Sequence, residues 1–201
     1  MGMSLSLVAL SDSNIERILQ DPPLVWQAIA PDEPEYYETA RAEHAKPSLL
    51  SKLFGRAAPS ENARDLEMSS FERLSTDLDK AWHGIHYLLT GTDAEGEYPS
   101  NFLVAGGTTV GNVDVGYGPA RALTSTETRA VRDFLKSVDD EELRRRFNPE
   151  DMLAKRIYPD IWARDPAEQD SLGYLIEHVR ILRGFLDQAV DEGLGIVLYI
   201  S

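Results

Sequence analysis

Met3, Leu5, Leu7 and Ala9 alternate with Ser4 and Ser6 before Val8 and Leu10 turn the segment wholly apolar. A period of two is that of a strand entering a core. Ser11, Asp12 and Ser13 then offer caps to a short helix, in which Ile15, Ile18 and Leu19 recur at helical spacing until Pro22-Pro23 ends it. From Leu24 to Glu67 the pattern is broken by Pro31, Pro34, Pro47 and Pro59, which predicts short helices joined by loops. Phe71, Leu74, Leu78, Trp82, Ile85 and Leu89 stand three or four apart, and Gly91 follows where a C′ glycine would stop the run. This spacing predicts one helix with a buried face. Its internal Gly84 marks either a close neighbour or a tolerated weakness, at a cost of ~1 kcal/mol relative to Ala.

Between Gly91 and Pro119 glycine recurs among valines, which fits short strands and an irregular surface loop equally well. Thr124-Ser125-Thr126-Glu127 has the form of a capping box, and Val131, Phe134, Leu135 and Val138 make the face of the helix it opens. Asp139 is placed to cap a second helix, and Asn148-Pro149 to open a brief third one. Leu172, Leu175, Val179, Leu182, Leu186 and Ala189 predict a long amphipathic helix over about 169–192, ended by Gly193 and Gly195. The run at 196–200 is apolar throughout, as expected of a strand buried on both faces and paired centrally, with the N-terminal strand as its neighbour. The expected fold is α+β, a small mixed sheet holding the first and last strands and packed with several helices. At 201 residues a single domain is expected.

Composition narrows the functional classes. The chain carries 34 acidic and 20 basic residues, a formal net charge of −14, and a phosphate backbone would repel such a surface. Nucleic acid is therefore not an expected partner. The absence of cysteine removes disulfides, cysteine-zinc sites, iron–sulfur clusters and thiol nucleophiles together, and fits a reducing compartment. With no signal-peptide pattern and no apolar run long enough to span a bilayer, the expectation is a cytoplasmic chain without membrane contact. No motif calls for a cofactor.

Several segments, in order along the chain, resemble the YfbM-like family, small bacterial proteins known as a domain of unknown function. The opening Met1-Gly2-Met3 precedes a strand. Residues 77–91, Asp-Leu-Asp-Lys-Ala-Trp-His-Gly-Ile-His-Tyr-Leu-Leu-Thr-Gly, match the family's helix motif and are the most specific of these matches. Tyr117-Gly118-Pro119-Ala120-Arg121-Ala122-Leu123-Thr124 resembles the next block, and the stretch from Phe147-Asn148-Pro149 to Ile157-Tyr158-Pro159 the third. The closing Val197-Leu198-Tyr199-Ile200 resembles the last strand. The resemblance implies an α+β fold with a family-variable insertion at about 31–69. It implies no established activity and brings no accepted catalytic residues.

Three sets of residues could carry chemistry. Asp79, His83 and His86 are spaced by four and three, so a helix would put them on one face toward a divalent metal. Two imidazoles and one carboxylate leave such a site incomplete, and residue 83 is not a fixed His in the family pattern, so a structural role for them is the stronger reading. His86 lies beside the Trp82–Ile85–Leu89 face, where a neutral imidazole can lock helix to sheet. Its functional alternative is a cleft with Tyr117 and Arg121, the imidazole moving a proton and the guanidinium clamping an anion. Gly116-Tyr117-Gly118 begins like a dinucleotide loop, but Arg121 stands where the third glycine is needed. The third set is acidic: Asp32, Glu33, Glu35 and Glu38, which would attract a basic surface. Tyr36, Tyr37, Tyr98, Tyr117 and Trp162 fall in predicted loops, where such side chains anchor a partner or cover an edge.

Two functions remain. One is an intracellular protein-binding module, in its concrete form an inhibitor or immunity-type protein masking a basic partner. The other is a small-molecule-binding protein or enzyme with its pocket around His86, Tyr117 and Arg121. The absence of catalytic motifs and the net charge favour the first.

Overall fold

The computed structural model describes residues 2–44, 65–165, 167 and 169–201. Five strands, β1 (Leu5–Leu10), β2 (Ser75–Asp77), β3 (Thr108–Asp114), β4 (Pro119–Leu123) and β5 (Gly195–Ile200), form a sheet in the order β2-β1-β5-β4-β3. Every pairing among the described residues is antiparallel, where a mixed sheet was expected. The last strand is central, as its unbroken apolar run demands. β5 pairs along its whole length with β1, Leu7 opposite Leu198, and on its other side with β4, Arg121 opposite Leu198.

Around the sheet lie α1 (Asp12–Gln20), α2 (Val25–Ile29), α3 (Pro34–His44), α4 (Ala81–Thr90), α5 (Ser125–Ser137), α6 (Asp140–Arg146), α7 (Pro149–Ala154) and α8 (Ser171–Asp191). Strand alternation divides them between two faces. Leu5, Leu7, Leu123, Ile196 and Leu198 point toward α4, α5 and α8 and share one core with Ile85, Val131 and Leu182. Leu10, Val110, Val113, Ala122 and Val197 point the other way and pack with Ile15, Ile18 and Val25 of α1 and α2.

Local signals set most helix ends. Thr124 and Glu127 close the capping box of α5, Asp139 accepts from the Glu142 N–H at 2.7 Å, and Asn148 accepts from that of Asp151 at 3.2 Å. α8 spans its expected range with Asp170 as cap. At Gly84 the structure decides between the two readings, since a β-carbon there would meet Leu175 Cδ2 at 2.7 Å and the Trp162 ring at 2.8 Å. α4 needs glycine to approach α8 and Trp162 this closely. Trp162 is 1 % exposed, a core residue rather than a loop anchor.

The helix expected over 71–89 begins only at Ala81. Phe71 is 56 % exposed in a 3-10 turn, and Ser75, Thr76 and Asp77 form β2 against Val8, Leu7 and Ser6. Pairing with an otherwise open β1 outweighs a spacing that fits a helix by coincidence, and the Asp77 carboxylate takes the Asp79 N–H in the turn before α4. This segment also carries Glu72, 5 % exposed and unnoticed in the sequence. Its carboxylate accepts from the Asn14 amide at 2.7 Å and the Ser69 N–H at 2.9 Å, as well as from Ser11, and so ties the 3-10 turn to the start of α1. Of the insertion expected at about 31–69, residues 45–64 lie outside the described residues. No helix among the described residues is long and apolar enough to cross a membrane.

Candidate functional site

α4 carries both histidines of the most specific motif. His83 Nδ1 accepts the Tyr158 N–H at 2.9 Å, which places the ring proton on Nε2, and Nε2 then donates to the Asp93 carbonyl at 2.7 Å. Both nitrogens are thereby committed, and burial holds the imidazole below its ordinary pKa despite the opposing pull of Asp93. His86 is fully buried, with Nε2 3.3 Å from the Thr90 hydroxyl and no hydrogen-bond partner at Nδ1 among the described residues. Burial above all, then the neighbouring His83 and in smaller measure Arg121, push its pKa down to about 4 against the pull of Asp93. It is a neutral group at neutral pH. Asp79 stands in the turn before the helix at φ 45° and accepts the Tyr174 hydroxyl at 2.9 Å. No group of three metal-ligating side chains comes together among the described residues.

Arg121, on β4, has its side chain occupied. Nη1 donates to the carbonyls of Phe102 at 2.9 Å and Gly106 at 2.5 Å, and Nη2 to that of Leu103 at 2.6 Å. Burial lowers its pKa to about 10, which leaves it a cation at neutral pH. The guanidinium holds the carbonyl end of a helical turn at 101–105, and the anion clamp expected of it is taken up by the chain's own backbone. Tyr117 is 53 % exposed in the β3–β4 turn, its N–H bonded to the Ile200 carbonyl at 2.9 Å, and no hydrogen bond among the described residues joins it to His86 or Arg121. The expected cleft of these three residues is not assembled as a polar constellation.

The acidic set is placed differently. α3 buries none of its residues, and Asp32, Glu33, Glu35 and Glu38 are all exposed. Glu35 and Glu43 of α3 and Asp114 of β3 line one cleft of about 480 Å³, together with Trp26, Tyr36 and Val113. The Trp26 and Tyr36 rings stack with centroids 4.7 Å apart. Asp114 Oδ1 accepts from the N–H groups of Gly116 at 2.9 Å and Gly118 at 3.1 Å, which keeps the carboxyl below its ordinary pKa, so the group is charged and held in place. Glu33 above all raises the Tyr36 phenol, which stays protonated. Among the described residues no Lys or Arg pairs with Glu35, Glu43 or Asp114.

Of the four acidic residues picked out in the sequence, only Glu35 lines this cleft. Glu43 was legible in principle, since Glu35, Thr39 and Glu43 repeat every four residues along one stripe of α3. The contribution of β3 was not, because nothing near Asp114 in the chain announces that α3 lies beside it.

The whole-chain comparisons agree with the resemblance of the motifs. Residues 1–199 match the family described as a domain of unknown function (DUF1877), and the chain belongs to that family. The crystal structure of YfbM from Escherichia coli, a protein of unknown function, is similar over 98 % of this chain and 99 % of that one, at a TM-score of 0.62 and 17 % identity. This likeness carries the α+β fold. No curated protein matches the chain.

Proposed function

We propose that this DUF1877-family chain is an intracellular protein-binding module that takes a basic segment of its partner in the cleft between α3 and β3, as an inhibitor does when it masks a cationic enzyme surface. The observation that carries the reading is the set of three carboxylates, Glu35, Glu43 and Asp114, lining one cleft with no cation paired to them among the described residues. A lysine or arginine side chain suits such a lining, its apolar stem against Trp26 and Val113 and its charged head among the carboxylates. The net charge of −14 would speed the encounter with a basic surface. Against the alternative of a small-molecule or catalytic pocket at His86, Tyr117 and Arg121 stands the commitment of both terminal nitrogens of Arg121 to backbone carbonyls.

An arrayed peptide library of graded charge tests the reading. Peptides retained by the wild-type protein should be rich in Lys and Arg. Their binding should fall at least tenfold in the Glu35→Gln/Glu43→Gln variant and fall likewise in high salt. Retention of neutral or acidic peptides, unaffected by the substitutions, overturns it.

A further inference from the structure

The proposal that follows rests on the basic-partner reading and adds how the partner is held. Among the described residues β3 is the outermost strand of the sheet, paired with β4 at Thr108, Thr109 and Asp114 with a bulge between the last two. Its residues Asn112, Val113 and Asp114 all line the cleft. Consecutive residues of a strand point to opposite faces, and here Val113 turns into the core with Leu10 and Val197 while Asn112 and Asp114 are exposed. The cleft touches all three and so runs along this stretch of the sheet's outer strand. At Gly111 a β-carbon would meet Pro22 at 2.5 Å, so Pro22 packs against one face of the strand at that point. Among the described residues no backbone hydrogen bond outside the sheet involves 109–114.

We propose that a basic segment of the partner adds to the sheet as a sixth strand, its backbone pairing with the open edge of β3 at Asn112, Val113 and Asp114 and its cationic side chains reaching Glu35 and Glu43 on α3. An unpaired strand edge offers N–H and C=O groups that a second extended chain satisfies, and alternate side chains then supply the specificity. The two walls also match in scale. Eight residues of helix separate Glu35 from Glu43, a rise of ~12 Å at ~1.5 Å per residue. Side chains four apart on a strand are separated by ~13 Å. A chain with Lys at positions i and i+4 can thus place both ammonium groups against the two glutamates with Val or Thr between them. A basic helix lacks the backbone donors this mode needs, since its N–H groups are internally bonded.

The test uses the full-length protein and the blocked peptide Lys-Val-Thr-Val-Lys-Val-Thr, titrated by calorimetry. Two N-methylated versions accompany it, one methylated at the odd-numbered residues and one at the even-numbered. Strand pairing points alternate N–H groups at β3, so one version should bind at least tenfold more weakly and the other within about twofold of the parent. The amides that gain hydrogen-exchange protection on binding should be among those of residues 112–114. Glu35→Gln/Glu43→Gln should weaken parent and tolerated version alike. If both methylated versions bind like the parent, or both lose equally, strand addition is overturned while the basic-partner reading stands. If the parent peptide fails to bind but basic peptides from the library do, the inference again falls alone. Failure of every basic peptide sinks both.

Discussion

The Glu72 carboxylate accepts both the backbone N–H and the hydroxyl of Ser11 through one oxygen, at 2.8 and 2.6 Å. Ser11 is the N-cap of α1, so this contact fixes the start of the helix to a turn sixty-one residues further along the chain. Burial alone would raise the pKa of the carboxyl. The bonds from Ser11, Ser69 and Asn14 outweigh it and bring the value from 4.5 down to about 2.

The first prediction follows from that shift. A carboxyl whose folded pKa lies below its unfolded value stabilises the protein above the unfolded pKa, and the contribution is lost as pH falls through the folded one. For Glu72 the window runs from about 4.5 down to about 2. Glu72→Ala should therefore cost on the order of 2–3 kcal/mol at pH 7, with orphaned donors at Ser11 and Asn14 adding to the loss of the charge-assisted bonds. Urea unfolding of both proteins at pH 7 and pH 3 checks this, and the gap between them should narrow at the lower pH. An equal gap at both values would mean that the charge of Glu72 contributes nothing.

A second prediction concerns the approach of α4 to α8. Helix propensity alone would make Gly84→Ala stabilising by ~1 kcal/mol. The added methyl group would lie 2.7 Å from Leu175 Cδ2 and 2.8 Å from the Trp162 ring. Leu175 can yield, but Trp162 is a buried ring whose Nε1 donates to the Ile157 carbonyl at 2.8 Å. Overpacking of this kind costs ~1–3 kcal/mol, so the net effect should be destabilising by about 1 kcal/mol, with a larger loss for Gly84→Val. Thermal unfolding decides the sign. A higher melting temperature for the alanine variant would show that the helices part without cost.

Signals confined to a few neighbouring residues were legible before the fold was. The capping box at Thr124 and Glu127, the caps at Asp139 and Asn148 and the unbroken apolar run of β5 each depend on local chemistry, and each element stands where its signal placed it. The segment from Phe71 to Leu78 misled because its apolar spacing fits a helix, while the partner that makes it a strand, β1, lies about seventy residues earlier. The histidines were correctly set on a helix beside a core. Their partners, the Tyr158 N–H and the Asp93 carbonyl, belong to loops whose course no periodicity records. The cleft was half legible for the same reason. Glu35 and its acidic neighbours could be read from the chain, whereas Asn112 and Asp114 join them only through the sheet order that makes β3 an edge.

The last prediction separates the structural role of Arg121 from the anion-binding role its motif suggested. The guanidinium presents a planar fork, and here that fork reaches three carbonyls, those of Phe102, Leu103 and Gly106, from a strand bonded to the central β5. Lysine at this position keeps the charge but offers one compact ammonium on a flexible stem, which cannot serve three acceptors so arranged. Arg121→Lys should leave at least one buried carbonyl unpaired and lower stability by about 2 kcal/mol. The loss should concentrate in the segment the guanidinium holds, so amide exchange within 101–106 should quicken more than exchange in β1 or α8, whose partners are untouched. Arg121→Met, which keeps the stem and removes every donor, should exceed Arg121→Lys in both measurements. Binding of basic peptides at α3 should survive the lysine substitution, because Arg121 is not among the residues lining that cleft. If Arg121→Lys instead left melting temperature and exchange unchanged, the carbonyl contacts would carry no stability and the side chain would be available for an anion.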